Sequence, residues 1–178
     1  TYQGIGTIGG VNVNVPNQGS QYLSLSAVND PLYIDKGTGV HELGHNLGVF
    51  HAGDLECGSA TFQSSCYDFT HIVEYGDIFD VMGTSSYYAH YGAYHKFLFG
   101  WLSNSQVKMY NRQTHLPVNI EPIETNTPGI KTLRVPFEPT IDIDYITDSY
   151  YIEYRRPIGY DLQIYNTLGP QAFDGVLI

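Results

Sequence analysis

Three histidines and a glutamate fall within eleven residues of this chain, in the run HELGHNLGVFH from His41 to His51. On a helix, residues four apart are rotated by about 40° and separated by about 6 Å along the axis. His41 and His45 therefore project from one face, and both can reach one ion at the roughly 2 Å usual for a zinc–nitrogen bond. Glu42 lies beside that face, where it can contact a water on the metal without binding the ion.

The third histidine requires the helix to end before it. If the helix continued, His51 would lie about 15 Å along the axis from His41 and about 80° around it, too far for a shared ion. Gly48 resolves this, because glycine adopts positive φ and can end a helix sharply. Three neutral imidazoles with a fourth position open to solvent are the arrangement of a catalytic zinc site. We therefore predict one zinc ion bound by His41, His45 and His51, with Glu42 as the general base.

Hydrophobic periodicity predicts two helices. Between residues 36 and 50, apolar side chains recur at three- and four-residue steps and form one apolar face. These side chains are Val40, Leu43, Leu47 and Phe50. A second stripe, mostly aromatic, predicts a helix over residues 88–102.

Short strands are predicted on both sides of the helices. Alternation of polar and apolar residues indicates strands at residues 11–15 and 22–27. After Trp101, frequent prolines separate short β-rich pieces, with strands predicted at residues 131–137 and 149–155. We therefore predict an α+β chain with a domain boundary after residue 105, so that residues 106–178 form a small β-rich unit.

Composition excludes some partners. The chain has 18 acidic and 8 basic residues and a net charge of −10, and its Lys and Arg residues are scattered. Nucleic acid is not predicted as a partner, because phosphate binding needs clustered basic residues. No apolar run approaches the roughly 20 residues of a transmembrane helix, so no membrane span is predicted.

The two cysteines of the chain, Cys57 and Cys66, close a short polar loop. We predict a local disulfide between them, which implies an oxidising compartment. The alternative is two unrelated thiols in a reduced protein. A zinc-binding pair is disfavoured, because eight intervening residues exceed the usual short spacing of such ligands.

The eleven-residue motif resembles the extended zinc signature of the metzincin proteases. A second element is similar: the run DVMG lies about thirty residues downstream, where metzincins have a Met-turn, and Met82 would form an apolar floor under the histidines. Within that clan, YGDIFDVMGTSS and HKFLFGWL are most similar to the gametolysin-type peptidases. The later YYIEYRRPIGYD is similar to the same group and to the immune-inhibitor-A type of secreted bacterial protease.

This resemblance implies both a fold and an activity. The fold is a metzincin-like zincin catalytic domain over residues 1–105, with zinc helix, Met-turn and C-terminal helix. The activity is that of a secreted zinc endopeptidase, which cleaves extracellular proteins or peptides with a zinc-bound water activated by Glu42. Metzincins place a longer β subdomain before the zinc helix, whereas 40 residues precede the motif at His41 here. We therefore expect a sequence truncated at both ends, with a propeptide or further domains upstream.

Two other functions stay open. One is a catalytically silent metzincin-fold module that binds protein or glycan partners, and the other is a zinc hydrolase acting on small amides. Calcium has little support, because Asp54, Asp77 and Asp80 match no EF-hand spacing.

Two further sets of residues lie downstream of the motif. The candidates for a second hydrogen-bond donor to the oxyanion that forms during peptide hydrolysis follow the Met-turn. They are Tyr87, Tyr88 and His90. The histidines outside the motif are interpreted as structural or surface residues. These are His71, His90, His95 and His115.

Overall fold

In a computed structural model of the chain, the described residues are 4–29, 36–58, 71–84, 88–110, 116–136 and 149–178. They form a mixed α+β structure with small sheets and few helices. The chain divides into two compact units, Thr1–His90 and Tyr91–Ile178. Compactness alone does not define a domain, so the boundary predicted after residue 105 stays a prediction.

The first unit contains three antiparallel strand pairs. Strand β1 (Gly4–Gly6) pairs with β4 (Ser26–Val28), β2 (Val11–Val15) with β3 (Gly19–Leu23), and β5 (Asp54–Leu55) with β6 (Ile72–Val73). The strand predicted at residues 11–15 is confirmed. The strand predicted at 22–27 is instead divided between β3 and β4, because Leu25 between them bonds elsewhere. Its N–H donates to Oγ1 of Thr7 at 3.1 Å, and its carbonyl accepts from Nδ2 of Asn46 at 2.9 Å.

The helix that carries the motif, α1 (Lys36–Asn46), lies against β1 and β4. It ends four residues before the predicted limit at Phe50, and Gly48 follows with φ of 97°. The predicted apolar face is wrong as a buried face, since Leu43, Leu47 and Phe50 are 51%, 47% and 56% exposed. The buried polar residues of α1 are Thr38, His41, Glu42 and His45. The helix thus buries the side that carries the motif.

The second unit contains a three-stranded sheet in the order β7 (Val107–Met109), β8 (Thr132–Pro136), β9 (Ser149–Glu153). Strand β7 is parallel to β8, and β8 is antiparallel to β9. Strands predicted at residues 131–137 and 149–155 are confirmed within two residues at each end. The helix predicted at 88–102 is wrong at both ends, because α2 (Ala93–Leu98) is flanked by glycines at 92 and 100.

A small apolar core in the second unit joins α2 to the sheet through Ala93, Ile123 and Tyr151. A third helix, α3 (Leu162–Leu168), buries Ile164 completely. No helix within the described ranges is long and apolar enough to cross a membrane.

Candidate metal centre

Helix α1 presents two histidines on its buried side, and the backbone fixes the tautomer of each ring. Nδ1 of His41 lies 2.8 Å from the carbonyl oxygen of Val81, and Nδ1 of His45 lies 2.9 Å from that of Val49. A carbonyl oxygen only accepts, so both Nδ1 atoms must donate. In the neutral rings the lone pair therefore lies on Nε2, the nitrogen free to bind a metal.

The turn after α1 brings the third histidine beside the second. The N–H groups of Leu47 and Gly48 donate to carbonyls of the last helical turn, and Val49 N–H donates back to Gly44 at 3.2 Å. His51 then lies with Nε2 3.1 Å from Nε2 of His45. Two ligands on one tetrahedral zinc, each about 2.0 Å from the ion, would be separated by about 3.3 Å. The spacing of these two nitrogens therefore fits a shared ion.

His51 has a carboxylate partner on its other nitrogen. Its Nδ1 lies 2.7 Å from Oε1 of Glu74, and the Glu74 side chain is 69% exposed. An ionised carboxylate only accepts, so Nδ1 of His51 donates and its Nε2 also carries a lone pair. Two neutral rings would thus direct two lone pairs at each other across 3.1 Å, an arrangement that a cation between them would stabilise.

We call His41, His45 and His51 the histidine cluster. One ring nitrogen from each lies within 4.8 Å of the others, and within the described part of the chain no other group of His, Cys, Asp or Glu is placed to hold a metal in this way. Burial lowers the pKa of His41, and the nearby rings of His45 and His51 lower it further, while the hydrogen bond to Val81 and the charge of Asp80 oppose them. A neutral ring is the form that binds a metal, and imidazole suits zinc, copper, iron and nickel.

Glu42 lies under strand β1. It is 6% exposed, and its Oε2 has no hydrogen-bond partner among the residues that the structure describes. A Cβ at Gly6 would come within 2.8 Å of the Glu42 carbonyl oxygen and 3.0 Å of Oε2, so glycine is required for this close approach. Burial raises the pKa of Glu42, while His45 and His51 lower it by smaller amounts. The carboxylate is therefore within electrostatic range of two members of the histidine cluster.

The turn that contains Met82 contacts the cluster through its backbone. Val81 supplies the carbonyl that orients His41, and Ala52, next to His51, donates its N–H to the carbonyl of Met82 at 2.9 Å. Met82 is fully buried, and its N–H donates to Oδ1 of the buried Asp80 at 2.7 Å. The predicted floor residue thus lies in a turn bonded to both ends of the motif.

Sequence reasoning missed the residues at 74 and 75. The Tyr75 ring centroid lies 3.8 Å from that of His51 and 5.9 Å from that of His41. Burial raises the pKa of Tyr75, and the charges of Glu74 and Glu42 raise it further. No spacing in the sequence links these residues to the motif, since 23 positions separate His51 from Glu74.

The structure describes some of the remaining residues for which the sequence predicted a role, and others lie outside the described ranges. His95 is buried among the aromatic rings of Tyr94 and Phe99. The second oxyanion donor stays a prediction for Tyr88 and His90. Three other residues lie outside the described ranges, so predictions on them, including the disulfide to Cys57, stay predictions. They are Cys66, Tyr87 and His115.

Comparisons with known proteins do not identify the chain. No family model matches it, and neither curated proteins nor solved structures give a match. The resemblance to metzincins thus stays a prediction, while the histidine cluster is a group of three neighbouring imidazoles that could hold a metal ion.

Proposed function

We propose that the chain is a zinc-dependent endopeptidase of the metzincin type, secreted and acting on proteins or peptides. The observation that carries the proposal is the convergence of three imidazole nitrogens beside a buried glutamate. Three histidine ligands leave one position of a tetrahedral site for solvent, whereas a structural zinc site has four protein ligands.

Each residue has a distinct role in this proposal. His41, His45 and His51 hold the ion through Nε2, since their Nδ1 atoms already donate to Val81, Val49 and Glu74. Zinc, when bound, supplies a Lewis acid that polarises a carbonyl and makes a water acidic near neutral pH. Glu42 would accept a proton from the water that attacks the peptide carbonyl, and it would give that proton to the amine that leaves as the C–N bond breaks.

Sequence similarity supports the choice of peptide as substrate. The motif HELGHNLGVFH and the downstream DVMG are the pattern of metzincin proteases, and the sequence around them is most similar to gametolysin-type peptidases. The geometry of the histidine cluster alone would suit any hydrolase that activates a water. The assignment to peptide bonds therefore rests on the resemblance.

One observation favours the silent binding module as a second candidate. The carboxylate of Glu42 is almost completely buried and lies against the backbone of Gly4 and Gly6. A general base must come within hydrogen-bonding distance of the proton that it removes. If β1 kept Glu42 in this position, a metal could bind without hydrolysis following.

The substitution Glu42→Gln separates these candidates. We expect the variant to retain one zinc per chain by elemental analysis and to lose peptide hydrolysis by about 10²–10⁴-fold, because an amide cannot accept the proton. Glu56→Gln, at an exposed glutamate of the same unit, is the matched control and should keep full activity. A zinc-loaded wild-type chain that hydrolysed neither a general peptide substrate nor a small amide would instead favour the silent module.

A further inference from the structure

A tight turn places two side chains against the third histidine of the cluster. Gly76 N–H donates to the Val73 carbonyl at 2.9 Å, so Glu74 and Tyr75 are the two central residues of a β-turn. Tyr75 has φ of 63°. A left-handed conformation at this turn position ordinarily selects glycine, and an aromatic residue there is strained. Residue 75 is therefore tyrosine at a position where the backbone favours glycine.

The backbone of the turn does not explain why residue 75 is a tyrosine, but the contacts of the Tyr75 ring do. The ring lies 3.8 Å from the ring of His51, with an angle of 37° between the planes. It also stacks at 5.9 Å and 26° on the ring of His41. Strained backbone conformations persist where other interactions hold them, and they concentrate at functional sites. Here the strained residue touches two members of the histidine cluster.

The preceding residue contacts the same histidine along its edge. Glu74 accepts from Nδ1 of His51 at 2.7 Å, although 69% of the Glu74 side chain is exposed. A pair so exposed contributes little to folding stability, because solvent screens it. Its consequence for the site is larger, since it fixes which nitrogen of His51 carries the proton. A metal-binding histidine commonly donates its second N–H to such a partner, and losing that partner typically weakens metal binding by about 10–100-fold.

We propose that Glu74 and Tyr75 are positioning residues for His51. Glu74 holds the ring in the tautomer whose Nε2 lone pair faces His45, and the Tyr75 ring restricts the plane of the imidazole. Neither residue touches the reacting atoms in this proposal. His41 and His45 need no such device, because they lie on α1 and bond to backbone carbonyls, whereas His51 lies beyond the helix. The proposal rests on the proposed metal-binding function of the same site.

Zinc affinity, measured by competition with a chromophoric chelator, tests the role of Glu74. We expect Glu74→Ala to weaken zinc binding by about 10–100-fold. Glu74→Gln keeps an oxygen acceptor for Nδ1 and should lose less. Glu56→Ala, at an exposed glutamate of the same unit, should bind zinc like the wild type.

The role of Tyr75 is tested by a substitution that favours the turn. Tyr75→Gly relieves the left-handed strain, so the chain should fold at least as stably, yet zinc binding should weaken. Tyr75→Phe keeps the ring and should bind zinc like the wild type. A purely structural role for Tyr75 predicts the opposite, a loss of stability with unchanged zinc affinity.

Metal-free samples distinguish failure of this inference from failure of the proposed function. In nitrogen–proton correlation NMR of the metal-free chain, we expect His51 of the wild type as the Nδ1-protonated tautomer, with Glu74→Ala shifting it toward the Nε2-protonated form. An unchanged tautomer, or zinc affinity within twofold of wild type in Glu74→Ala, would overturn the inference whether or not peptides are cleaved. If the wild type bound no zinc, the proposed function would fail, and the tautomer shift alone would decide the inference.

Discussion

The two compact units each bury a polar cluster, and the clusters differ in where their positive charge comes from. In the first unit, the histidine cluster directs imidazole nitrogens at one another, with Nε2 of His45 and Nε2 of His51 3.1 Å apart. In the second, the buried Arg155 donates from Nε to Glu153 at 2.5 Å and from Nη1 to Asp161 at 2.9 Å. We call Arg155, Glu153 and Asp161 the arginine network.

This difference distinguishes a candidate binding site from a structural element. Burial lowers the pKa of Arg155, but Glu153 and Asp161 more than offset it, so the arginine keeps its charge. The arginine network thus contains both the cation and the anions, and the sequence encodes it completely. The histidine cluster has lone pairs that could bind a cation, and no residue in the described ranges supplies one. Buried polar groups normally have partners, and the Nε2 atoms of His45 and His51 face each other, so this cluster is the one that could bind a metal ion.

The largest expected loss of folding stability comes from a substitution in the arginine network. Arg155→Met should reduce the free energy of unfolding by about 3–5 kcal/mol, because it leaves two buried carboxylates without their cation. Arg156→Met is the matched control: Arg156 is exposed, and the change should leave the free energy of unfolding close to that of the wild type. Chemical denaturation measures both. Equal effects from the two substitutions would contradict a structural role for the network.

The next prediction concerns stabilisation by zinc. Added metal should stabilise the chain through the histidine cluster and not through the arginine network. At a zinc concentration 100 times the Kd, the wild type should gain about 2.7 kcal/mol of stability. His45→Ala should abolish this gain, and His71→Ala, at an exposed histidine of the same unit, should keep it. Thermal unfolding with and without zinc measures the gain. A gain that survived in His45→Ala would place the metal elsewhere.

The difference between the clusters also explains what could be predicted from sequence. The four-residue spacing of His41 and His45 on a helix and the positive φ of Gly48 are local properties, so the convergence of the three histidines could be predicted. The buried face of α1 could not, because Leu43 and Leu47 are exposed, while the helix buries polar residues against β1 and the turn containing Met82. That preference arises from tertiary contacts, which hydrophobic periodicity does not describe.

The contact of Glu74 with His51 could not be predicted from the sequence either. An exposed glutamate in a turn has no distinguishing sequence signal, and its role depends on a contact with His51 across 23 positions. The same limit applied to Arg155, whose partners Glu153 and Asp161 lie close in sequence but follow no motif with a known mechanism. The sequence spacing of the three histidines predicted candidate ligands that lie on one helix and on the turn after it. It did not predict residues that act on those ligands from another loop.

The smallest expected effect concerns Glu124, which borders the arginine network. Its Oε1 accepts from Arg156 N–H at 3.1 Å, while its Oε2 is buried and has no donor among the described residues. Burial raises the pKa of Glu124 from 4.5 to about 8, and a hydrogen bond to Asp161 raises it as well. Two ionised carboxylates cannot bond to each other, so one of the two must carry a proton. Asp161 already accepts from Nη1 of Arg155, which favours Glu124 as the protonated group.

This proton makes the stability of the chain depend on pH. The unfolded Glu124 releases its proton near pH 4.5, whereas the folded form retains it to about pH 8. Between those values the folded state binds more protons, so stability is highest below pH 4.5 for this group and falls as pH rises. Glu124→Gln keeps an N–H donor to Asp161 that cannot ionise. Relative to that variant, in which the other titrating groups cancel, the wild type should lose on the order of 2 kcal/mol between pH 5 and 8 by urea denaturation, about half of the value for the full pKa shift because solvent screens this partly exposed side chain. Parallel stability curves for the two proteins would mean that Glu124 is ionised throughout, and that a third carboxylate charge borders the arginine network.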